Sequence, residues 1–142
     1  MAIWFERPTP EVLNAVRTKT LVAHIGIQFI EVGDDFLRAT MPVDARTHQP
    51  YGVLHGGASV ALAETMGSTG AMACVDPTRF QCFGQEINAN HLRSVSSGQV
   101  TGTARPFHIG ARSQVWGIEI RDEQGHLTCV SRITIATVAR RV

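Results

Sequence analysis

The segment 55–75 constrains the fold of this 142-residue chain more than any other, because it is the one long stretch without strong turn signals. Such a stretch predicts the principal helix. It is crowded with small residues: Gly56, Gly57, Ala58, Ser59, Ala61, Ala63, Gly67, Ser68, Gly70, Ala71 and Ala73. A glycine inside a helix costs about 0.5–1 kcal/mol relative to alanine. The composition therefore predicts close approach by another backbone, from a tightly wrapped sheet or from a second helix.

Upstream of this segment, the pattern predicts one short helix, two strands and a long loop. Thr9 is a candidate N-cap and Pro10 suits the first helical position, so a helix is expected to run to about Arg17. Its expected inner face comprises Val12, Leu13 and Val16. Strands are expected at 24–32 and 36–43, with a turn at 33–35. The loop 44–54 is long, and loops of that length in a compact domain are more often functional than not.

Downstream, the Asp76-Pro77 pair is expected to end the helix. Four strands separated by turn residues are then predicted at 80–93, 99–109, 112–121 and 126–138. Consecutive strands joined by short turns predict an antiparallel meander. One long helix followed by such strands indicates an α+β fold in which a curved antiparallel sheet wraps the helix. We find no repeat or linker, so residues 1–142 are expected to form a single domain.

The charge and cysteine content exclude several classes of protein. With 13 basic and 12 acidic side chains, the chain has no overall field that would attract nucleic acid or an anionic membrane. No apolar run approaches the ~20 residues of a membrane span, and the N-terminus lacks the features of a signal peptide. The three cysteines include no C-x-x-C pair, so we expect free thiols in a reducing cytoplasm rather than disulfides or a thiolate zinc site.

Glu64 is the most informative residue of the predicted helix. Helical spacing groups Val60, Glu64, Gly67, Ser68 and Ala71 on one stripe, with Leu62, Met66 and Ala73 on the opposite side, towards the sheet. No Lys or Arg lies between Arg46 and Arg79 to pair with the carboxylate. Glutamate is rarely buried without a partner or a purpose. The apolar stripe favours a functional carboxylate over the common alternative, a glutamate that faces solvent.

The start of the same helix offers complementary chemistry. Gly56 and Gly57 place unhindered backbone N–H groups at a helix N-terminus, where unpaired donors and the dipole favour negative charge. Such a site can stabilise an oxyanion, although glycines also form ordinary helix caps. Gly56 and Glu64 are eight residues apart, about 12 Å along one helix axis, and cannot both reach one reacting group. Two helices packed antiparallel about a two-fold axis could combine them, which predicts a dimer with two equivalent sites.

Several segments together resemble the hotdog-fold thioesterases. They are residues 49–59 (QPYGVLHGGAS), Ala63-Glu64, Ser68, Gly33-Asp34-Asp35, 41–44 (MPVD), 86–91 (EINANH), 106–110 (PFHIG) and 114–116 (QVW). The resemblance is to the branch that acts on 1,4-dihydroxy-2-naphthoyl-CoA, phenylacetyl-CoA and 4-hydroxybenzoyl-CoA, and that includes proofreading thioesterases of the enterobactin pathway. It spans nearly the whole chain. It implies hydrolysis of acyl-CoA thioesters with aromatic or medium-chain acyl groups.

The resemblance also implies catalytic roles. The backbone N–H at Gly56 would polarise the thioester carbonyl. Glu64 of the neighbouring subunit would act as nucleophile or as general base toward water. Gln49 would help position the thioester or the water, and Ser68 would help orient the attacking water. His55 would support the oxyanion-side loop or contact the thioester, and the alternative is a structural hydrogen bond.

Substrate-binding roles follow from the same resemblance. Residues 91–94 resemble the segment that meets the nucleotide end of coenzyme A, with Arg93 as the expected phosphate contact and Arg112 as a weaker one. The candidate binding residues are His91, Arg93, Ser94, Arg112, Tyr51 and Gly57. Tyr51 stands where relatives often carry Phe, and Gln85 occupies a position that is more often apolar. Either difference could alter the packing or the acyl selectivity. The expected assembly is a homodimer that pairs into a homotetramer. Coenzyme A is expected as part of the substrate, with no separate cofactor. An acyl carrier protein is an alternative partner.

Other functions compete with hydrolysis. The nearest are hydration or dehydration of an enoyl thioester, for which the usual histidine motif is not found, and non-catalytic binding of acyl-CoA. A serine hydrolase is disfavoured because Ser68 lies within a helix and outside a G-x-S-x-G motif. A zinc enzyme is disfavoured because the six histidines include no H-x-x-x-H pair.

Overall fold

The computed structural model describes residues 1–141. Its elements in chain order are α1 (Pro10–Ala15), α2 (Leu21–His24), β1 (Gln28–Val32), β2 (Leu37–Pro42), α3 (Gly56–Ala73), β3 (Phe80–His91), β4 (Gln99–Ile109), β5 (Ser113–Arg121) and β6 (Leu127–Ala139). The six strands form one antiparallel sheet in the order β1-β2-β4-β5-β6-β3. The strands β2 to β6 all contact α3, so the sheet curls around the helix as the sequence predicts.

The small residues of α3 allow the sheet to lie close to the helix. A Cβ on Gly70 would lie 2.6 Å from the ring of Trp116, and a Cβ on Gly67 would overlap Ile133. The close approach is therefore made by side chains of β5 and β6 rather than by another backbone. Leu62 and Met66 are fully buried against the sheet, as the helical spacing predicts. The spacing is wrong for Gly67 and Ala71, which it places on the opposite stripe but which are also buried, and Ala73 is only half-buried.

We expect Gly70→Ala to lower the free energy of unfolding by about 1–3 kcal/mol, as overpacked cores do. Helix propensity alone acts in the opposite direction, since alanine is favoured over glycine in a helix by about 0.5–1 kcal/mol. We expect the overlap to outweigh propensity, because the Trp116 ring that the new methyl meets is fully buried and stacks on Trp4. Urea denaturation measures the change, and a variant more stable than the wild type would contradict the tight packing.

A buried amide joins the sheet to the C-terminal half of α3. Gln114 is fully buried, donates from Nε2 to the carbonyl oxygen of Ala71 at 3.1 Å, and accepts from Trp116 Nε1 at 3.0 Å. Trp116 also stacks on Trp4, with 6.2 Å between ring centroids. Because the polar atoms of Gln114 are paired, the amide orients the tryptophan and the helix without an uncompensated desolvation penalty.

The predicted four-strand meander is wrong at its first strand. β4, β5 and β6 form a meander, but β3 lies at the sheet edge beside β6. The segment 92–98 runs from β3 across the end of the sheet, where Leu92 N–H bonds Thr128 O at 2.8 Å and Val95 O accepts from Leu54 N–H at 2.7 Å. Since the sheet curls around α3, a short connection reaches from its edge back to its middle. The short connection after β3 therefore does not make β3 and β4 neighbours.

The N-terminal region also departs from prediction. Thr9 caps α1 and accepts from Val12 N–H, as expected, but only Leu13 of the predicted inner face is buried. Val12 and Val16 are 57% and 70% exposed. The strand predicted at 24–32 is shorter, because its first residue ends α2 and the chain turns at Gly26, whose φ of 78° favours glycine.

The sequence predicts that no segment spans a membrane and that the cysteines are free thiols. Within residues 1–141 no helix is long and apolar enough to cross a bilayer. The three cysteines are free thiols, with Cys129 buried and Cys74 and Cys82 half-buried. Burial raises the pKa of Cys74 to about 12, so this thiol is a weak nucleophile at neutral pH.

Candidate active site

The N-terminus of α3 carries one backbone donor that is left without an acceptor. His55 is the N-cap, and its Nδ1 accepts the Gly57 N–H at 2.8 Å. The carbonyl oxygen of His55 accepts from the N–H groups of Ala58 and Ser59 at 2.9 and 3.3 Å. Among the described residues no group accepts the Gly56 N–H. The first turn therefore leaves this one donor free, at the positive end of the helix dipole.

A cavity of about 330 Å³ adjoins this donor. Five of the predicted site residues line it: Gln49, Gly56, His91, Arg93 and Ser94. A Cβ on Gly56 would lie 2.8 Å from His91 Nε2, so the imidazole at the end of β3 lies directly over the glycine. The structure thus groups the residues expected at the oxyanion side and at the nucleotide side of the substrate in one place.

The loop 44–54 holds Gln49 at this cavity. Gln49 N–H donates to Val53 O at 2.8 Å, and Gln49 Oε1 accepts the backbone N–H of Tyr51. His48 Nε2 lies 3.0 Å from Ser96 O, which ties the loop to the segment that follows β3. Because the side-chain oxygen Oε1 of Gln49 accepts the Tyr51 N–H, the side-chain nitrogen Nε2 is the group that can donate to a ligand.

Glu64 lies on the side of α3 that faces the edge strand β3. The residue is half-buried and makes no ion pair within residues 1–141. Ser68 Oγ donates to Glu64 Oε1 at 3.4 Å. A Cβ on Gly84 would overlap Glu64 Oε1, so the carboxylate lies against the backbone of β3. The register shift between Gly84 and Glu86 leaves Gln85 as the extra, exposed residue of a bulge, which accounts for its polar side chain.

We expect Gly84→Ala to lower kcat at least about tenfold, because the new methyl would displace the Glu64 carboxylate and small misplacements of reacting groups are costly. Gly84 is exposed, so the fold should be kept. Gly117→Ala is the matched control, since its Cβ would meet the ring of Phe107, which is 73% exposed and can move. Steady-state kinetics on both variants make the comparison. Equal rates for the two variants would show that the position of Glu64 does not matter.

Other predicted residues lie apart from the cavity. Tyr51 is 90% exposed and is not among the residues that line it. Arg112 precedes β5 and bonds through its carbonyl to Thr137 near the end of β6, whereas Arg93 lies near the start of β6. One protomer therefore does not bring the two arginines to the same phosphate. The Gly57 N–H is occupied by His55 and is not free for a substrate.

Neither Gly84 nor Ser59 was predicted from the sequence to be a site residue. Ser59 is 3% exposed and lines the cavity one helical turn after Gly56. A glycine inside a strand often marks a bulge or a close approach, so Gly84 carried a signal that could have been used. Within residues 1–141 no group of three or more His, Cys, Asp or Glu side chains is arranged to hold a metal ion.

A family model described as the thioesterase superfamily matches residues 51–129. The chain belongs to the thioesterase superfamily. The match begins just after Gln49 and includes α3 with Glu64, and relatives over nearly the full length agree with it. This thioesterase is 55% identical to the proofreading thioesterase EntH of Cronobacter turicensis over 96% of this chain and 98% of the relative. It is 52% identical to the 1,4-dihydroxy-2-naphthoyl-CoA hydrolase of Escherichia coli K12, over 94% and 98% respectively.

Solved thioesterase structures have the same fold. A mutant of thioesterase PA1618 from Pseudomonas aeruginosa superposes with a TM-score of 0.97 at 45% identity, covering 98% of this chain and 100% of that one. Thioesterase HI1161 from Haemophilus influenzae gives 0.93 at 48% identity, covering 96% and 95%. The predicted family and the hotdog fold are thereby confirmed, and the chain is a thioester hydrolase.

Proposed function

We propose that this thioesterase hydrolyses acyl-CoA thioesters with aromatic or medium-chain acyl groups to the free acid and coenzyme A. The observation that carries the proposal is the free N–H of Gly56, which faces a cavity lined also by Gln49 and His91. The relative named as a 1,4-dihydroxy-2-naphthoyl-CoA hydrolase supports an aromatic acyl-CoA as substrate.

The chemistry needs one oxyanion donor and one carboxylate. The Gly56 N–H donates to the thioester carbonyl oxygen and stabilises the negative charge that develops there. Glu64 either attacks the carbonyl carbon or removes a proton from the attacking water. The C–S bond then breaks, and the coenzyme A thiolate leaves and takes up a proton. Where Glu64 is the nucleophile, water then hydrolyses the anhydride between the acyl group and Glu64, which releases the acid and restores the carboxylate. Gln49 positions the carbonyl or the water through its free amide nitrogen, and Ser68, which contacts Glu64, orients the water.

In this proposal each site is shared by two subunits. Glu64 lies against Gly84 near the middle of β3, whereas Gly56 lies beside His91 at the end of β3. β3 is a twelve-residue edge strand with only β6 as a neighbour, and such an edge is a template for pairing with another strand. Antiparallel pairing of two β3 strands about a two-fold axis would bring Glu64 of one subunit towards Gly56 of the partner subunit.

The same arrangement assigns the outer end of the cavity to coenzyme A. Arg93 and Ser94 lie at its rim and would bind phosphate oxygens, with His91 beside the pantetheine arm. His55, as the cap of α3, supports the oxyanion side through the Gly57 N–H. The proposal has three further parts. An acyl carrier protein is an alternative donor of the acyl group, two dimers pair into a tetramer, and the protein is located in the cytoplasm.

A screen for release of free thiol tests the proposal. The substrates are benzoyl-, phenylacetyl-, 2-naphthoyl- and straight-chain acyl-CoA esters, all without an enoyl group. We expect turnover of at least one aromatic ester. Because a hydratase or a binding protein releases no thiol from these esters, failure with every one of them would contradict the proposed function.

A further inference from the structure

A second cavity, of about 600 Å³, lies between α1 and the C-terminal half of α3. Its walls are largely apolar and include Leu13, Val16, Met72 and Val75. The cavity also contains one half-buried cation, Arg17, which the sequence analysis did not identify as a site residue. Cavities with apolar walls and a few placed polar groups are the usual form of small-molecule sites.

Contacts with three elements fix the position of Arg17. Its Nη2 donates to Thr69 Oγ1 on α3 at 2.8 Å, and its Nη1 donates to Leu13 O on α1. Its guanidinium carbon lies 5.1 Å from the ring centroid of Phe29 on β1. A guanidinium has five N–H donors, and these contacts use two. Among the described residues no acceptor is found for the remaining donors.

No carboxylate within residues 1–141 neutralises this guanidinium. Among the described residues no carboxylate oxygen lies within 4.0 Å of Arg17. Glu6 also lines the cavity, but it is exposed and makes no ion pair with Arg17. The exposed Arg7 on the same cavity is already paired with Asp34 at 2.9 Å. Burial lowers the pKa of Arg17, which reflects the cost of holding an unpaired cation there.

The cavity meets α3 at Thr69, Met72 and Ala73, in the part of the helix that follows Glu64. Glu64, Ser68 and Met72 follow one another at intervals of four residues along one side of α3, and Met72 lines the cavity. Thr69, which binds Arg17, lies five residues beyond Glu64, about 7.5 Å along the helix axis and about 140° around it. An acyl group whose carbonyl lies at Glu64 would therefore cross the side of α3 that presents Ser68 and Met72 to reach Arg17.

We propose that this cavity is the acyl subsite and that Arg17 selects acyl groups with a carboxylate at the end remote from the thioester. The inference rests on the proposed function, because it assigns the ligand of the same reaction. An anionic terminus would form charge-assisted hydrogen bonds with the free donors of Arg17, while the rest of the acyl group contacts the apolar walls.

The test compares 4-carboxybenzoyl-CoA with 4-carbamoylbenzoyl-CoA, which are alike in shape and differ in charge. We expect the wild type to show a kcat/KM at least about tenfold higher for the carboxylate than for the carbamoyl ester. Arg17→Met should abolish that preference, and Arg17→Lys should keep part of it. Arg38→Met is the matched control, since Arg38 also stacks on a phenylalanine, Phe36, at 5.1 Å but lies away from the cavity.

The outcomes separate this inference from the proposed function. Hydrolysis of both esters without a preference in the wild type would overturn the role of Arg17 and leave thioester hydrolysis intact. An equal loss of preference in Arg17→Met and Arg38→Met would overturn it as well. Hydrolysis of no thioester would contradict the proposed function itself. If Arg17→Met does not fold, the wild-type ratio and the lysine variant still decide the question.

Discussion

Glu64→Gln is expected to lower kcat by about 10²- to 10⁴-fold, the range over which a positioned carboxylate contributes to proton transfer. The amide keeps the shape of the side chain but is neither a base nor an effective nucleophile. Glu64 is half-buried with Ser68 as its one side-chain hydrogen-bond partner among the described residues, so no ion pair is lost and the fold should be kept. The rate of thiol release from an aromatic acyl-CoA measures the effect, and circular dichroism verifies the fold.

Glu119→Gln is the control for this substitution. Glu119 is exposed on β5 and pairs with Arg121 at 2.8 Å, and exposed pairs of this kind contribute little to stability. We expect its kcat to stay within about twofold of the wild type, as befits a surface change away from the site. Substrate affinity should also survive in Glu64→Gln, as judged by binding of the acyl-CoA to the inactive protein. A Glu64→Gln enzyme with normal turnover would remove the carboxylate from the mechanism.

Gly56→Pro is expected to lower kcat by about 10²- to 10³-fold, the loss usually seen when one oxyanion donor is removed. Proline has no N–H, and it is tolerated at the first position of a helix. The backbone before it is suitable, because His55 has φ −67° and ψ 130°, in the extended region that precedes proline. The substitution therefore removes the donor while α3 still begins at the same residue.

Gly56→Ala provides the matched control, because alanine keeps the N–H and adds a Cβ near His91 as proline does. His91 is exposed, and the tip of its side chain can move. We expect the fold-decrease in kcat of the alanine variant to be less than a tenth of the fold-decrease in the proline variant. If the two variants were equally impaired, crowding of His91 rather than loss of the donor would explain the defect.

Local signals in the sequence were sufficient to predict the main helix and most of the strands. The stretch 55–75 contains α3, which runs Gly56–Ala73, and the turn residues delimit β4, β5 and β6 to within two residues. The prediction that Leu62 and Met66 face the sheet depended only on helical periodicity, and it is confirmed. Gln49 and Gly56 are close in sequence, so their shared cavity follows largely from the fold of one loop.

Features that depend on distant contacts could not be read from the sequence. The place of β3 beside β6 depends on how far the sheet curls, which turn residues do not encode. The contact between Gly84 and Glu64 needs both that position and the bulge at Gln85. Arg17 is half-buried only because α1, α3 and β1 meet around it.

The most direct test of the shared site is subunit complementation. Glu64→Gln and Gly56→Pro are each expected to be nearly inactive alone. A mixed dimer would contain one site with the intact Glu64 of one subunit and the intact Gly56 of its partner. After unfolding and refolding of an equal mixture, we expect activity to rise to about a quarter of the wild type, since half of the dimers are mixed and each has one active site. Activity no higher than the sum of the separate variants would contradict a site built from two subunits.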